Sequence, residues 1–185
     1  MQSFNPQGLI FFPYAFFNRR LLIPNEAVKS INEIEFDALK RRGFKAVLFD
    51  KDNTLTEPYQ KRLSPLLKKG FAACKKTFTS SIAIFSNHAG TGDDNNHETA
   101  RAIERALGIA VIRHRKKKPA GMDEVSAFFN CQPEEIIVIG DRLFTDIAFG
   151  NRYGCHTILV NPLTKRYENA LSAWVAGWER KLLKK

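Results

Sequence analysis

The sequence has no apolar run approaching the roughly 20 residues that a membrane-spanning helix needs. The longest candidate, Gly8 to Phe17, is broken by Pro13 and ends on Asn18-Arg19-Arg20, so no bilayer span is expected. Cysteine is scarce: Cys74, Cys131 and Cys155 are an odd number with neither CxxC nor finger spacing. That excludes a disulfide framework and a zinc-finger module, and suits a reducing compartment. Acidic residues are outnumbered, 19 against 29 Lys and Arg, for a formal net charge of +10. Such a chain attracts anionic partners, whether phosphate esters, acidic lipids or nucleic acid, and charge alone does not choose among them. Internal repeats and low-complexity tracts are missing too, which excludes a solenoid and a disordered linker.

What is present is a chain of 185 residues, 44% hydrophobic, the size and apolar fraction of one globular domain. Its first stretch is aromatic: Phe11, Phe12, Phe16 and Phe17 lead into Arg19 and Arg20, and no acid precedes Glu26. This composition suits a segment lying at a lipid interface. The alternative is a terminal arm packed on its own core or on another subunit, and self-association through these aromatics competes with lipid contact. The stretch lacks the Ser-rich, multi-Arg composition of a transit peptide and reads as mature sequence.

Ala27, Val28, Ile31, Ile34 and Leu39 recur at mostly helical spacing up to Gly43, predicting a helical lead-in. Ala46 to Phe49 reads as the first core strand and ends in Asp50 and Asp52. Ser64-Pro65 opens a helix expected to end near Lys76. Ile82 to Phe85 is a second strand, ending on Ser86 and Asn87 before a Gly- and Asn-rich loop. His97 to Leu107 reads as a helix closed by Gly108, and Ile109 to Ile112 as a third strand before the basic run Arg113 to Lys118. Pro119 starts a helix to about Phe129. Ile136 to Ile139 and Thr157 to Val160 are further strands, the former ending in Gly140-Asp141. Residues 163 to 185 are expected to form an amphipathic helix with Leu171, Trp174, Val175, Trp178 and Leu182 on one face. Alternating strands and helices argue for an α/β fold, a parallel sheet flanked by helices with ligands at the carboxyl ends of the strands. The polar residues fall at those ends. Three regions follow: a lead-in over 1–43, a core over 44–162 and the terminal helix over 163–185.

Asp50 and Asp52 lie two positions apart on extended chain and can project into one pocket, with Thr54 following. Taken alone the pair is a weak signal, because acids often end strands or cap helices. A phosphate monoester needs a positioned nucleophile, charge neutralisation and a proton donor. Asp50 can attack phosphorus, and Asp52 can protonate the leaving oxygen and then activate water. Ser86 and Asn87 can donate to phosphoryl oxygens, Lys118 supplies a fixed positive charge, and Asp141 and Asp146 can hold a hard cation with Asp50. Each has a bland alternative as a cap, a solvated cation or a salt bridge. Four such strand ends in this order are hard to assign to those alternatives together.

DKDNT, then a strand ending Ser-Asn, then Lys-Pro, then GDRxxTD resemble the haloacid dehalogenase (HAD) superfamily of aspartate-nucleophile phosphatases, over residues 44 to 162. The resemblance implies a Rossmann-like core. It also implies Mg²⁺ held by the Asp50 carboxylate, the Asp52 main-chain carbonyl and Asp141, with Asp146 in support, and a phosphoryl site that includes Ser86 and Lys118; Thr54 and Asn87 are further phosphate-binding candidates beside them. Members usually carry a cap domain after the first motif or between the second and third. Only about 30 residues separate Asp52 from Ser86, and about 30 separate Asn87 from Lys118, so no sizeable cap is expected and the site should be open to a large or surface-bound phosphate.

Within the superfamily, LLIPNEAVKSINEIEFDALKRRGFKAVLFDKDNTL and GDRLFTDIAFGNRYG are similar to the mitochondrial phosphatidylglycerophosphate phosphatases and their bacterial relatives. That resemblance implies conversion of phosphatidylglycerophosphate to phosphatidylglycerol for cardiolipin synthesis. It further implies peripheral attachment to an anionic membrane, on the matrix side of the inner mitochondrial membrane. Arg113, Arg115, Lys116 and Lys117 are the expected headgroup contacts, with a solvated loop as the plain alternative. The rival enzyme reading is a capless phosphatase acting on a nucleic-acid 3′-phosphate, against which no aromatic stacking platform or nucleic-acid module is seen. A non-catalytic lipid-binding protein is the third reading, disfavoured because every motif position holds a competent side chain.

Overall fold

The computed structural model describes residues 18–164. Six strands, β1 (Glu26–Val28), β2 (Ala46–Phe49), β3 (Ile82–Ile84), β4 (Ala110–Val111), β5 (Ile136–Gly140) and β6 (His156–Val160), form one sheet in the order β1-β6-β5-β2-β3-β4. Every pairing is parallel. The helices are α1 (Phe36–Arg41), α2 (Lys68–Phe78), α3 (Glu98–Leu107), α4 (Met122–Phe129) and α5 (Ala148–Tyr153).

The central strands are apolar throughout because both faces are covered. Alternation sorts their side chains. Val47, Phe49, Ile82, Ile84, Ile137 and Ile139 pack with Phe36 and Leu39 of α1, Phe71 and Phe78 of α2 and Ile103 of α3. Their neighbours Leu48, Ala83, Phe85, Ile136 and Val138 turn to the other face, against Met122 and Val125 of α4 and Phe149 of α5. With two buried faces, the carboxyl edge of the sheet is left to present polar groups.

The lead-in departs from the helix its spacing predicts. Glu26–Val28 pairs with β6, Ile31–Glu33 is a 3-10 turn capped by the Ser30 hydroxyl, and only Phe36–Arg41 is α-helical. The apolar recurrence there reflects separate anchors, Ile31, Ile34, Phe36 and Leu39, each buried in the same core. The helix expected from Pro119 starts at Met122 instead. A turn in which Ala120 N–H donates to the Lys117 carbonyl comes first, and Gly121 takes a positive φ of 96°. The other helices and strands lie where the sequence pattern puts them, β4 being shorter than its apolar run. The terminal helix expected over 163–185 and the aromatics Phe11, Phe12, Phe16 and Phe17 fall outside the described residues, apart from Leu163 and Thr164. No inserted domain occurs among the described residues: 50–64 and 85–97 carry only turns and short 3-10 segments.

Candidate active site

The site is built on the ends of β5, β2, β3 and β4, neighbours in the sheet. Parallel pairing runs one residue past β2, with Asp50 N–H donating to the Ile139 carbonyl at 2.8 Å, and this holds Asp50 beside the end of β5. The chain then turns at once. Leu55 and Thr56 N–H both donate to the Lys51 carbonyl, and Asn53 sits at φ 63°. This turn seats Thr54 2% exposed, its hydroxyl 3.4 Å from Asp141 Oδ1.

Gly140 closes β5 for a packing reason: a Cβ there would overlap the Asp146 carboxylate. A π-helical turn over Leu143–Ile147 swings Asp146 back over that glycine, where Arg142 N–H donates to Asp146 Oδ2 at 3.2 Å. Lys118 arrives from the loop after β4. Its main-chain N–H donates to Asn87 Oδ1 at 2.8 Å, and its Nζ donates to Asp50 Oδ1 at 2.6 Å and to Asp146 Oδ1 at 2.5 Å.

The electrostatics of this cluster are unbalanced. Asp50, Asp141 and Asp146 each place a carboxylate oxygen within 4.8 Å of the others. Burial works against the Lys118 charge, but the Asp146 and Asp50 carboxylates outweigh it and raise the ammonium above the usual lysine value. Burial, then repulsion from Asp146 and Asp50, pushes Asp141 well above the ordinary carboxylate range. Burial likewise raises Asp146, with Lys118 opposing and Asp50 adding to the rise. Three carboxylates against one ammonium leave a formal excess of two negative charges in a hard-oxygen donor set, the combination that fits a divalent cation such as Mg²⁺.

The acid expected to move protons, Asp52, is held by partners the sequence did not suggest. Lys51, 4% exposed, donates from Nζ to Asp52 Oδ1 at 2.5 Å, to Thr56 Oγ1 at 3.4 Å and to the Gln60 carbonyl at 3.0 Å. Tyr59 N–H donates to the same Asp52 oxygen at 3.0 Å. A lysine between two aspartates reads as a solvated charge, and only its place at the end of an all-buried strand hinted otherwise. His114, inside the basic run that follows β4, is buried between two main-chain carbonyls: Nδ1 lies 2.7 Å from Lys116 O and Nε2 2.9 Å from Ser86 O. Burial lowers its pKa, with both carbonyls opposing. It ties the Ser86 strand end to the lysine loop.

Of the predicted residues, Asp50, Thr54, Lys118, Asp141 and Asp146 converge. Ser86 is buried, its hydroxyl accepting from His88 N–H, and Asn87 positions the Lys118 backbone. Three of the four residues expected to contact the headgroup have carboxylate partners. Arg113 grips Glu104 through both terminal nitrogens at 2.7 and 2.8 Å, Lys116 meets Asp123 at 2.8 Å and Lys117 meets Asp93 at 2.7 Å. Arg115 is exposed, as are Arg19 and Arg20 on a 3-10 turn.

The family described as mitochondrial PGP phosphatase matches residues 9–164. The chain belongs to that family. It is 45% identical over 170 residues, 91% of its length, to phosphatidylglycerophosphate phosphatase 1, chloroplastic/mitochondrial, of Arabidopsis thaliana, and spans about half, 49%, of that protein. It is 40% identical to phosphatidylglycerophosphate phosphatase 1, chloroplastic, of Chlamydomonas reinhardtii, covering 96% of this chain and 70% of the relative. It is 30% identical to the mitochondrial phosphatidylglycerophosphatase GEP4 of Saccharomyces cerevisiae, covering 84% and 86%. The matched range of this PGP phosphatase family contains every strand of the sheet and every carboxylate of the acidic cluster.

Proposed function

We propose that the chain hydrolyses the terminal phosphate monoester of phosphatidylglycerophosphate, leaving phosphatidylglycerol, through an aspartyl-phosphate on Asp50. The observation that carries this reading is the Lys118 ammonium, 3% exposed and bonded to both Asp50 and Asp146 beside Asp141. The lipid substrate is supported by the names of the relatives and by the absence of an inserted cap among the described residues.

The chemistry then follows from the placement of each group. A carboxylate oxygen of Asp50 attacks phosphorus as the bond to the lipid glycerol oxygen breaks. Asp52 gives its proton to that oxygen. Both donors to Asp52 reach Oδ1, so Oδ2 is the oxygen that carries the proton. In the second half Asp52 takes a proton from water, which attacks phosphorus, frees inorganic phosphate and restores Asp50. Lys118, Thr54, Ser86 and Asn87 bind and orient the phosphoryl group, Asn87 also by fixing the lysine backbone. Mg²⁺ would be held by Asp50, Asp141 and the Asp52 main-chain carbonyl with Asp146 in support, and would supply charge neutralisation at the phosphoryl oxygens.

The enzyme works at a membrane surface, peripherally, on the matrix side of the inner mitochondrial membrane. Among the described residues no helix is long and apolar enough to cross a bilayer. Arg113, Arg115, Lys116 and Lys117 add to a basic rim; solvent screens an exposed ion pair such as Lys116–Asp123, so its lysine can be exchanged to an anionic headgroup. The test is phosphate release from phosphatidylglycerophosphate vesicles with and without Mg²⁺, for wild type and Asp50→Asn, beside a 3′-phosphorylated oligonucleotide. Metal-dependent release from the lipid alone, abolished by the substitution, is expected. Release from the oligonucleotide and not the lipid would overturn the substrate.

A further inference from the structure

Residues 57–62 follow the turn that carries Asp50, Asp52 and Thr54, and they do not behave as a slack surface loop. Two side chains of the motif clamp them. Lys51 Nζ holds the Gln60 carbonyl at 3.0 Å and Asp52 Oδ1 accepts the Tyr59 N–H at 3.0 Å, while Lys51 and Asp52 are themselves joined at 2.5 Å. Gln60 N–H closes the turn onto the Glu57 carbonyl.

This clamp fixes Tyr59 at a φ of 65°, a backbone conformation in which a bulky side chain is uncommon. The ring it displays is 68% exposed, second to Leu66 among the exposed large hydrophobic side chains of the described residues. Lys61 and Arg62 follow after Gln60 and are also exposed, against one exposed acid, Glu57, in the same turn. An aromatic ring with a polar tip, set in a strained turn and followed by two cations, matches the interfacial zone of an anionic bilayer, where such rings sit at headgroup level and nearby cations meet lipid charge.

We infer that the 57–62 turn is the membrane-contacting platform of the active site: Tyr59 enters the headgroup layer, Lys61 and Arg62 engage anionic lipid, and the clamp to Asp52 sets the catalytic acid at a fixed place beside the bilayer surface. This inference rests on the lipid-phosphatase reading. It explains why an open site needs no lid: the membrane itself covers it. Asp52 is then held by the same turn that finds the surface.

The experiment uses the full chain with vesicles of phosphatidylcholine alone or equimolar with phosphatidylglycerol. Wild type is compared with Tyr59→Asn, which suits the positive φ without the ring, and with Lys61→Glu/Arg62→Glu. Flotation measures binding, and release from a soluble aryl phosphate with Mg²⁺ reports an intact site. Wild type should bind the anionic vesicles. Tyr59→Asn should bind about tenfold more weakly, the worth of a partly buried ring, and the charge-reversed pair at least about thirtyfold more weakly. The charge-reversed pair should turn over the aryl phosphate as wild type does. Unchanged vesicle binding in both variants overturns the platform, whatever the lipid turnover. Aryl phosphate turnover of the charge-reversed pair falling in step with its binding also overturns it, because the turn would then act on the site in solution. If binding drops as expected but wild type releases no phosphate from phosphatidylglycerophosphate, the platform stands and the substrate assignment fails.

Discussion

Lys118→Met removes the one ammonium from the acidic cluster while keeping a side chain of similar length. Its Nζ is bonded to Asp50 and Asp146 at 2.6 and 2.5 Å, so the substitution leaves those two carboxylates and Asp141 facing one another without the ammonium that joins them, their repulsion opposed by the Arg142 charge. Breaking a buried ion pair from one side costs about 3–5 kcal/mol, against a total stability of about 5–15 kcal/mol for a domain of this size. Urea unfolding followed by circular dichroism in EDTA should therefore show a loss of that order. Added Mg²⁺ should stabilise the variant more than wild type, since the cation enters a more negative site. Lys118→Met/Asp146→Asn, with one carboxylate neutralised, should regain at least about 1 kcal/mol relative to the sum of the single changes. Phosphate release should stay down by about 10²–10³-fold in both, because the preorganised positive charge is missing. A variant within about 1 kcal/mol of wild type in EDTA, or strict additivity in the double variant, would refute the view that Lys118 is the electrostatic keystone of the cluster.

Gly140→Ala should cost activity as severely as loss of Asp146, since its methyl would occupy the place of the Asp146 carboxylate; phosphate release from an aryl phosphate measures it. His156 is buried against Phe44 and bonded to Glu26, and burial lowers its pKa despite that carboxylate. The unfolded chain therefore takes the proton first: this stability is fully present above about pH 6.5 and is lost as pH falls through the lowered folded value. Urea midpoints from pH 8 to 5 should show the decline, and His156→Gln should flatten part of it. Burial pushes the Cys155 thiol up to about 12 and raises Cys74 as well, whereas Cys131 is only half-buried. Iodoacetamide followed by mass spectrometry should label Cys131 first and reach the other two only on unfolding.

The strands bearing the site were legible because a parallel strand buried on two faces leaves an unbroken apolar run, as in Ala46 to Phe49 and Ile136 to Ile139. The polar stops after them were legible for the same reason, since a carboxylate next to such a run has nowhere to go but the sheet edge. Short or half-exposed elements were not. β1 has three residues of mixed exposure, too few for a period of two to appear, and its pairing with β6 is a contact across more than a hundred residues. Lys51 was hidden because its burial depends on the Gln60 carbonyl and the Thr56 hydroxyl closing over it. His114 was hidden because its partners are main-chain carbonyls, which any sequence supplies. The pairing of Arg113 with Glu104 was likewise set by β4 following α3, and a run of basic residues does not announce which of its members are already engaged.

The strand order β5-β2-β3-β4 has a consequence for how the chain comes to work at all. Asp50, Ser86, Lys118 and Asp141 are each carried by a different strand end, and neighbours in the sheet such as β2 and β5 are about 90 residues apart along the chain. No local fragment can assemble the whole constellation, and the pairing of β2 with β5 that completes it is a non-local one whose loop-closure entropy makes it late and slow to form. Turnover is thus a readout of completed folding. A partly folded or truncated chain should show no residual activity, and regain of phosphate release during refolding should lag behind the recovery of helical signal.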